Sequence, residues 1–309
     1  MGYGIGIDVG GTRIKYSISD SEGQIAHHKA IDTEYRNKDQ FLQKLDGIVR
    51  ETLQIAANRH WEISGIAVAF PGIVEHGVVT EGAGNLPGIV PLELAPFLEE
   101  RFQLPCIAMN DAVGMTMGEY YFGAARGLTD AIFITVGTGI GGGLLIDGKF
   151  YNGFKDRGGE LGHVVIERDG LPCSCGGRGC LEVYGSTSSL VTYYEDLKDQ
   201  KDPANNGQNL FKKYLDGEIE AVKAFHWHFR NIAIGLGSLI NIFSPQILVL
   251  GGGIVNSGPQ YLEGIKMYID DYTMSHLRNV PLVPAELGDS AASVGGVGHL
   301  LTHVLTVDK

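Results

Sequence analysis

The sequence predicts two α/β domains, each built on a mixed sheet, facing each other across a cleft. Three observations predict it. A chain of 309 residues suffices for two domains of ordinary size. Short apolar runs alternate with longer stretches whose apolar residues fall at helical spacing, the pattern of α/β proteins. One unit also occurs twice: IGIDVGGTRIKYSI (5–18) and IFITVGTGIGGGLLI (132–146) both read as strand, Gly/Thr turn, strand. That repetition points to an internal duplication. The boundary is expected near 118–130, with an N-terminal domain over 1–120 and a C-terminal domain over 121–290. The segment 291–309, with a final helix, is expected to complete the first domain.

The elements follow from local pattern. Residues 3–8 and 63–70 are apolar runs of strand length, the second ending at Pro71-Gly72. Residues 13–19 alternate and read as a second strand, and 24–31 make a third. Phe41, Leu42, Leu45, Ile48, Val49 and Leu53 recur at helical spacing, so a helix is expected over 38–58. A helix near 92–102, a strand at 105–109 and a helix from 111 complete the first half. The second half carries strands at 130–136 and 141–147, and helices near 186–198, 208–215 and 218–242. A strand at 246–250, a helix near 258–274, a strand at 281–285 and a helix near 291–305 follow. Residues 231–262 contain no Asp, Glu, Lys or Arg, but Pro245 and Gly251–Gly253 interrupt them. They read as a buried helix and strand rather than a membrane span.

Composition excludes some functions. With 24 Lys and Arg against 36 Asp and Glu, the formal charge is −12, which disfavours nucleic acid and anionic membranes as partners. The N-terminus MGYGIGIDVGG has no basic region or cleavage site, so a cytoplasmic protein is expected. The 45 glycines suggest tight turns and close backbone approach to a ligand.

The densest chemistry lies between Glu160 and Glu182. His163, Cys173, Cys175 and Cys180 match what a closed tetrahedral Zn²⁺ site needs, thiolate and imidazole ligands. A disulfide would need an oxidising compartment, and a Cys-x-Cys pair is too close for an easy bridge. Four protein ligands leave no open position, so the zinc is expected to be structural, in a loop over 163–180.

The two Gly/Thr turns are phosphate candidates, because backbone N–H groups free of side chains can approach anionic oxygens. Thr12 and Thr138 add hydroxyls, and Asp8 at the end of the first strand is a candidate for Mg²⁺. Lys15 reads either as a phosphate ligand or as a solvated strand residue. Asn110-Asp111 reads either as a helix N-cap or, for Asp111, as a general base for a sugar hydroxyl attacking a γ-phosphate. Asn85, Glu160, His163 and Glu182 read either as turn and surface residues or as hydrogen-bonding groups for a sugar, where a carboxylate accepts from two hydroxyls. One ring nitrogen of His163 can face zinc and the other the sugar.

DVGGTRIK (8–15), NLPGI with PLE (85–93), NDA (110–112), GTGIGGG (137–143), GELGH (159–163) and CSCGGRGCLE (173–182) together resemble the motifs of the ROK family, and most closely its bacterial glucokinase-like sugar kinases. The resemblance runs from residue 5 to about 297. It implies an actin-like (ribonuclease H-like, hexokinase-type) fold and phosphorylation of a hexose by ATP with Mg²⁺, usually at the 6-hydroxyl. It makes Asp111 the base and places Asn85, Asn110, Asp111, Glu160, His163 and Glu182 on the sugar. It puts Gly10, Gly11, Thr12, Thr138 and Gly139 on phosphates and Gly252-Gly253 near the adenosine. It also favours a homodimer. Ile89, Met109 and AVGMTMGE (112–119) depart from the family pattern around the sugar motifs, which weakens glucose as the specific hexose. Kinases of N-acetylglucosamine, N-acetylmannosamine, fructose or a β-glucoside are the alternatives. The family also includes sugar-responsive repressors with an N-terminal winged helix-turn-helix; here the phosphate turn begins at residue 10. A silent sugar sensor is the third reading, against which stand Asp8, Asp111 and both turns.

Overall fold

The computed structural model describes residues 2–82 and 86–304. The chain forms two compact units. One comprises Met1–Gly127, Asn152–Gly158 and Glu286–Lys309, and the other Leu128–Tyr151 and Gly159–Ala285.

The first unit contains β1 (Tyr3–Val9), β2 (Arg13–Asp20), β3 (Ile25–Asp32), α1 (Lys38–Arg59), β4 (Ile63–Phe70), β5 (Ile73–Glu75), β6 (Val78–Glu81), α2 (Leu94–Phe102), β7 (Cys106–Asn110) and α3 (Asp111–Phe122). Its sheet has the order β3-β2-β1-β4-β7. β1 pairs antiparallel with β2 and parallel with β4. Alternation along β1 explains its central place. Ile5, Ile7 and Val9 join a core with Phe41, Leu45, Ile48 and Val49 of α1. The opposite face carries Gly4 and Gly6, where a Cβ on Gly6 would lie 2.3 Å from the Ser293 carbonyl oxygen. The C-terminal helix, Ala291–His299, therefore packs directly on the strand backbone. It approaches α3 as closely, since a Cβ on Gly295 would lie 2.2 Å from the Gly118 amide. Several glycines thus serve helix packing rather than turns or ligands, a correction to the compositional expectation.

The second unit contains β8 (Ala131–Val136), β9 (Ile140–Ile146), β10 (Lys149–Phe150), α4 (Glu182–Gly185), α5 (Thr187–Lys198), α6 (Gly207–Leu215), α7 (Ile219–Phe243), β11 (Ile247–Gly251), α8 (Pro259–Ile269) and β12 (Leu282–Pro284). Its order, β10-β9-β8-β11-β12, repeats the first sheet strand for strand. β8 likewise pairs antiparallel with β9 and parallel with β11. This is the ribonuclease H-like order twice over. Phe225, Phe229, Ile232 and Leu236 of α7 supply the centre of its core.

Some expectations needed adjustment. The helix expected over 258–274 ends at Ile269, where Asp270 and Asp271 would set negative charge against the helix C-terminus. The Thr273 hydroxyl donates to the Ile269 carbonyl there. The β5–β6 hairpin went unpredicted. Its turn places His76 and Gly77 at positive φ, 49° and 81°, as a two-residue hairpin requires. The helix expected over 291–305 is α-helical only to His299 and continues as a π-turn over Leu300–Val304. Among the described residues no helix is long and apolar enough to cross a membrane.

Candidate active site and metal centre

In the first unit the β1–β2 turn is tightly held. Gly10 N–H donates to the Arg13 carbonyl (2.9 Å), and the buried Thr33 ties the turn from below. Thr33 Oγ1 donates to the Gly10 carbonyl at 2.7 Å, and its N–H donates to the Thr12 carbonyl at 2.9 Å. Gly11 and Thr12 are exposed, so a ligand can reach them. Asp8 sits opposite Lys15 in the strand register. Burial raises the Asp8 carboxyl to about 6; Lys15 opposes the shift, while Asp111 and Asp289 add to it. Lys15 Nζ lies 3.1 Å from Asp289 Oδ2, an ion pair in which Asp289 is mostly solvent-exposed. A cluster of three carboxylates with one lysine suits a cation brought with a phosphate. Thr33 and Asp289 were not anticipated, since each reaches this place from a distant segment.

β7 delivers Asn110 and Asp111 to the start of α3. Asn110 caps the helix: its Oδ1 accepts from the Ala112 and Val113 amides, at 2.9 and 3.3 Å, and its Nδ2 donates to the Gly72 carbonyl at 3.0 Å. One N–H of its amide remains for a ligand. Asp111 Oδ1 accepts from the Ala112 amide at 2.9 Å. Its surface is open to solvent, yet the protein around it desolvates the carboxyl and raises its pKa against the opposing Ala112 hydrogen bond. A reachable carboxylate partly deprived of water is what proton abstraction needs. Asn85 lies outside the described residues. Ile89 and Met109 are buried, and the Met109 side chain packs towards Gly296 of the C-terminal helix. The departures at 89 and 109 are therefore core positions.

In the second unit, Gly137 N–H donates to the Gly139 carbonyl (3.0 Å) across the β8–β9 turn. Glu182 braces this turn: its Oε2 accepts from the Ile140 amide at 2.9 Å. A Cβ on Gly139 would lie 2.4 Å from the same oxygen, so a side chain there would displace the Glu182 carboxylate from the turn. Gly252, at φ 116°, lies so near β8 that a Cβ would stand 2.1 Å from the Val136 carbonyl oxygen. Thr138 and Gly253 line a cavity of about 610 Å³, with Val191, Gln208 and Ile254 among its other walls and no charged side chain. Gln208, on the first turn of α6, had no signal in the sequence.

Glu160 precedes a short 3₁₀ turn, Leu161–His163. His163, Cys173, Cys175 and Cys180 converge, with one ligand atom from each lying within 4.8 Å of all the others. Cys175 and Cys180 sulfurs are 3.7 Å apart, and Cys173 Sγ is 3.6 Å from His163 Nδ1. A tetrahedral zinc with Zn–S of about 2.3 Å and Zn–N of about 2.0 Å has edges of roughly 3.8 and 3.5 Å, so the four residues fit the ion. All four cysteines of the chain are free thiols. Burial pushes the Cys180 thiol up to about 12, whereas the Gly177 amide lowers that of Cys175. His163 Nε2 points away from the sulfurs, 3.9 Å from Glu160 Oε2. Glu182 links the two features, since its Oε1 lies 4.0 Å from Cys173 Sγ.

Comparison with known proteins places this arrangement. Residues 4–302 match the ROK family. A xylose repressor from Bacillus spizizenii is 30% identical over 100% of this chain and 79% of its own length. A glucokinase from Streptomyces coelicolor is 30% identical over 96% of each chain. The structure of a ROK family glucokinase from Streptomyces griseus, in complex with glucose and AMPPNP, is 29% identical. It covers 96% of this chain and 98% of its own, with a TM-score of 0.81.

Proposed function

The chain belongs to the ROK family and has its actin-like two-domain fold; on that premise we propose that it is an ATP-dependent hexose kinase, with glucose at the 6-hydroxyl as the first candidate. The observation that carries this reading is Asp111, a solvent-open carboxylate with a raised pKa at the start of α3. Asp111 accepts the proton of the sugar hydroxyl as it attacks the γ-phosphate. The transferred group is largely dissociative, so positioning contributes more than basicity. The remaining N–H of Asn110, together with Asn85, Glu160, His163 Nε2 and Glu182, orients the sugar. Backbone amides of Gly10–Thr12 and of Thr138-Gly139 bind the phosphates, and Lys15 exchanges Asp289 for a phosphate oxygen. The neutral cavity beside Gly252-Gly253 takes the adenosine. Asp8 holds Mg²⁺, which supplies charge neutralisation at the phosphates. His163, Cys173, Cys175 and Cys180 hold a structural zinc that stiffens the loop carrying His163. Similarity to glucokinases along nearly the full chain supports this assignment.

A second reading, a sugar-responsive regulator, draws support from the similarity to the xylose repressor. The test is ADP release from Mg-ATP against glucose, N-acetylglucosamine, N-acetylmannosamine, mannose, fructose, xylose and a β-glucoside. The kinase reading predicts one sugar turning over far faster than the rest. No turnover with any of them, in a folded and zinc-loaded sample, would move the weight to the regulator.

A further inference from the structure

Glu119 is a fully buried carboxylate near the end of α3, with no exposed surface. Three backbone amides donate to its carboxylate. Oε2 accepts from Ala124 N–H at 2.9 Å and from Glu286 N–H at 3.1 Å, while Oε1 accepts from Leu287 N–H at 2.9 Å. Its own carbonyl accepts from the Gly123 and Ala125 amides, at 3.2 and 3.0 Å. The carboxylate sits so close to the chain that a Cβ on Gly123 would lie 2.2 Å from Oε2. These amides have a common position. The chain leaves the first unit after Gly127 and re-enters it for the last time at Glu286. One side chain therefore fastens the segment just before the first crossing and the segment just after the last. A carboxylate with three N–H partners is a strong clamp, and removing it strands buried donors.

We propose that Glu119 is a positioning residue that fixes both of these connections, and through them couples the sugar-handling Asp111 at the start of α3 to the phosphate-handling Lys15–Asp289 pair. The coupling half rests on the kinase reading; the clamp itself does not. At one end of α3 stands Asp111, and two residues after Leu287 stands Asp289, the partner of Lys15. Loosening the clamp thus leaves each ligand's own contacts in place and removes the constraint that joins them.

The test combines two measurements on the full chain. Hydrogen–deuterium exchange of Glu119→Gln should be at least about tenfold faster at residues 123–127 and 285–288, with β1 and β4 unchanged. Calorimetry should give near-wild-type Kd values for the preferred sugar alone and for AMPPNP alone. The tightening of sugar by AMPPNP, of the order of 5- to 150-fold between linked sites, should fall to about one. Correspondingly kcat should drop, and the sugar KM at saturating ATP should rise by about the coupling factor lost. Leu287→Pro removes the Leu287 N–H donor, at a residue whose φ of −86° is near the proline range, and should reproduce part of the loss if Glu119→Gln fails to fold. Unchanged exchange at both connections would overturn the clamp. Faster exchange with undiminished coupling would overturn the functional role. A wild type that binds sugar and AMPPNP without phosphorylating any sugar would instead count against the kinase reading, leaving the exchange result to decide the clamp.

Discussion

At the scale of single residues, the site stores charge where burial opposes it. Asp8 is the clearest case, with a carboxyl raised from 3.8 to about 6, mainly by desolvation. The native state then holds a proton that the unfolded chain has released between those values. Stability therefore falls as pH rises from about 4 to about 6 and is level above. Asp8→Asn should be more stable than the wild type at pH 7.5, by about 1–3 kcal/mol, with the gain vanishing near pH 4. Denaturant unfolding at the two pH values measures this. Equal stability at pH 7.5, or a gain that grows on acidification, would contradict it. Such a cost at neutral pH is expected of a group kept for ligand binding rather than for folding.

At the scale of elements, legibility depended on whether the determinant was local. The alternation of β2, the helical spacing of α1 and the strand–turn–strand repeat were readable because each is a pattern within one segment. The convergence of His163, Cys173, Cys175 and Cys180 was readable because few residues separate them. Thr33 under the β1–β2 turn, Glu119 against Glu286 and Leu287, and Gly118 against the C-terminal helix were not, because their partners lie far along the chain. The same holds for Arg157, whose pairs with Glu75 and Glu81 at 2.6 and 3.2 Å fasten Asn152–Gly158 within the first unit. The metal loop makes a separate prediction. Cys175→Ser should reduce zinc, measured by elemental analysis, from about one per chain to near zero and lower the Tm by several degrees. The sugar KM should rise more than the ATP KM, since His163 and Glu160 sit on that loop. Unchanged metal content would refute the ligand set.

At the scale of the whole molecule, two sheets of identical order present two Gly/Thr turns, and the chemistry-bearing residues divide between the units. Asp8, Lys15 and Asp111 belong to the first; Thr138, Glu160, His163 and Glu182 belong to the second. The repeat was visible in sequence, whereas the brief return of Asn152–Gly158 to the first unit was not, because its composition resembles any polar loop. Sugar identity is the least legible feature. Ile89 and Met109, which looked like specificity changes, are buried, so their effect on the sugar would have to pass through packing. The most direct test of the central claim compares the wild type with Asp111→Asn on the best sugar of the panel, measuring ADP release and sugar binding together. The account predicts sugar-dependent turnover in the wild type, and a loss of about 10²- to 10⁴-fold in kcat in the variant with sugar affinity little changed. Near-normal turnover by Asp111→Asn would contradict it.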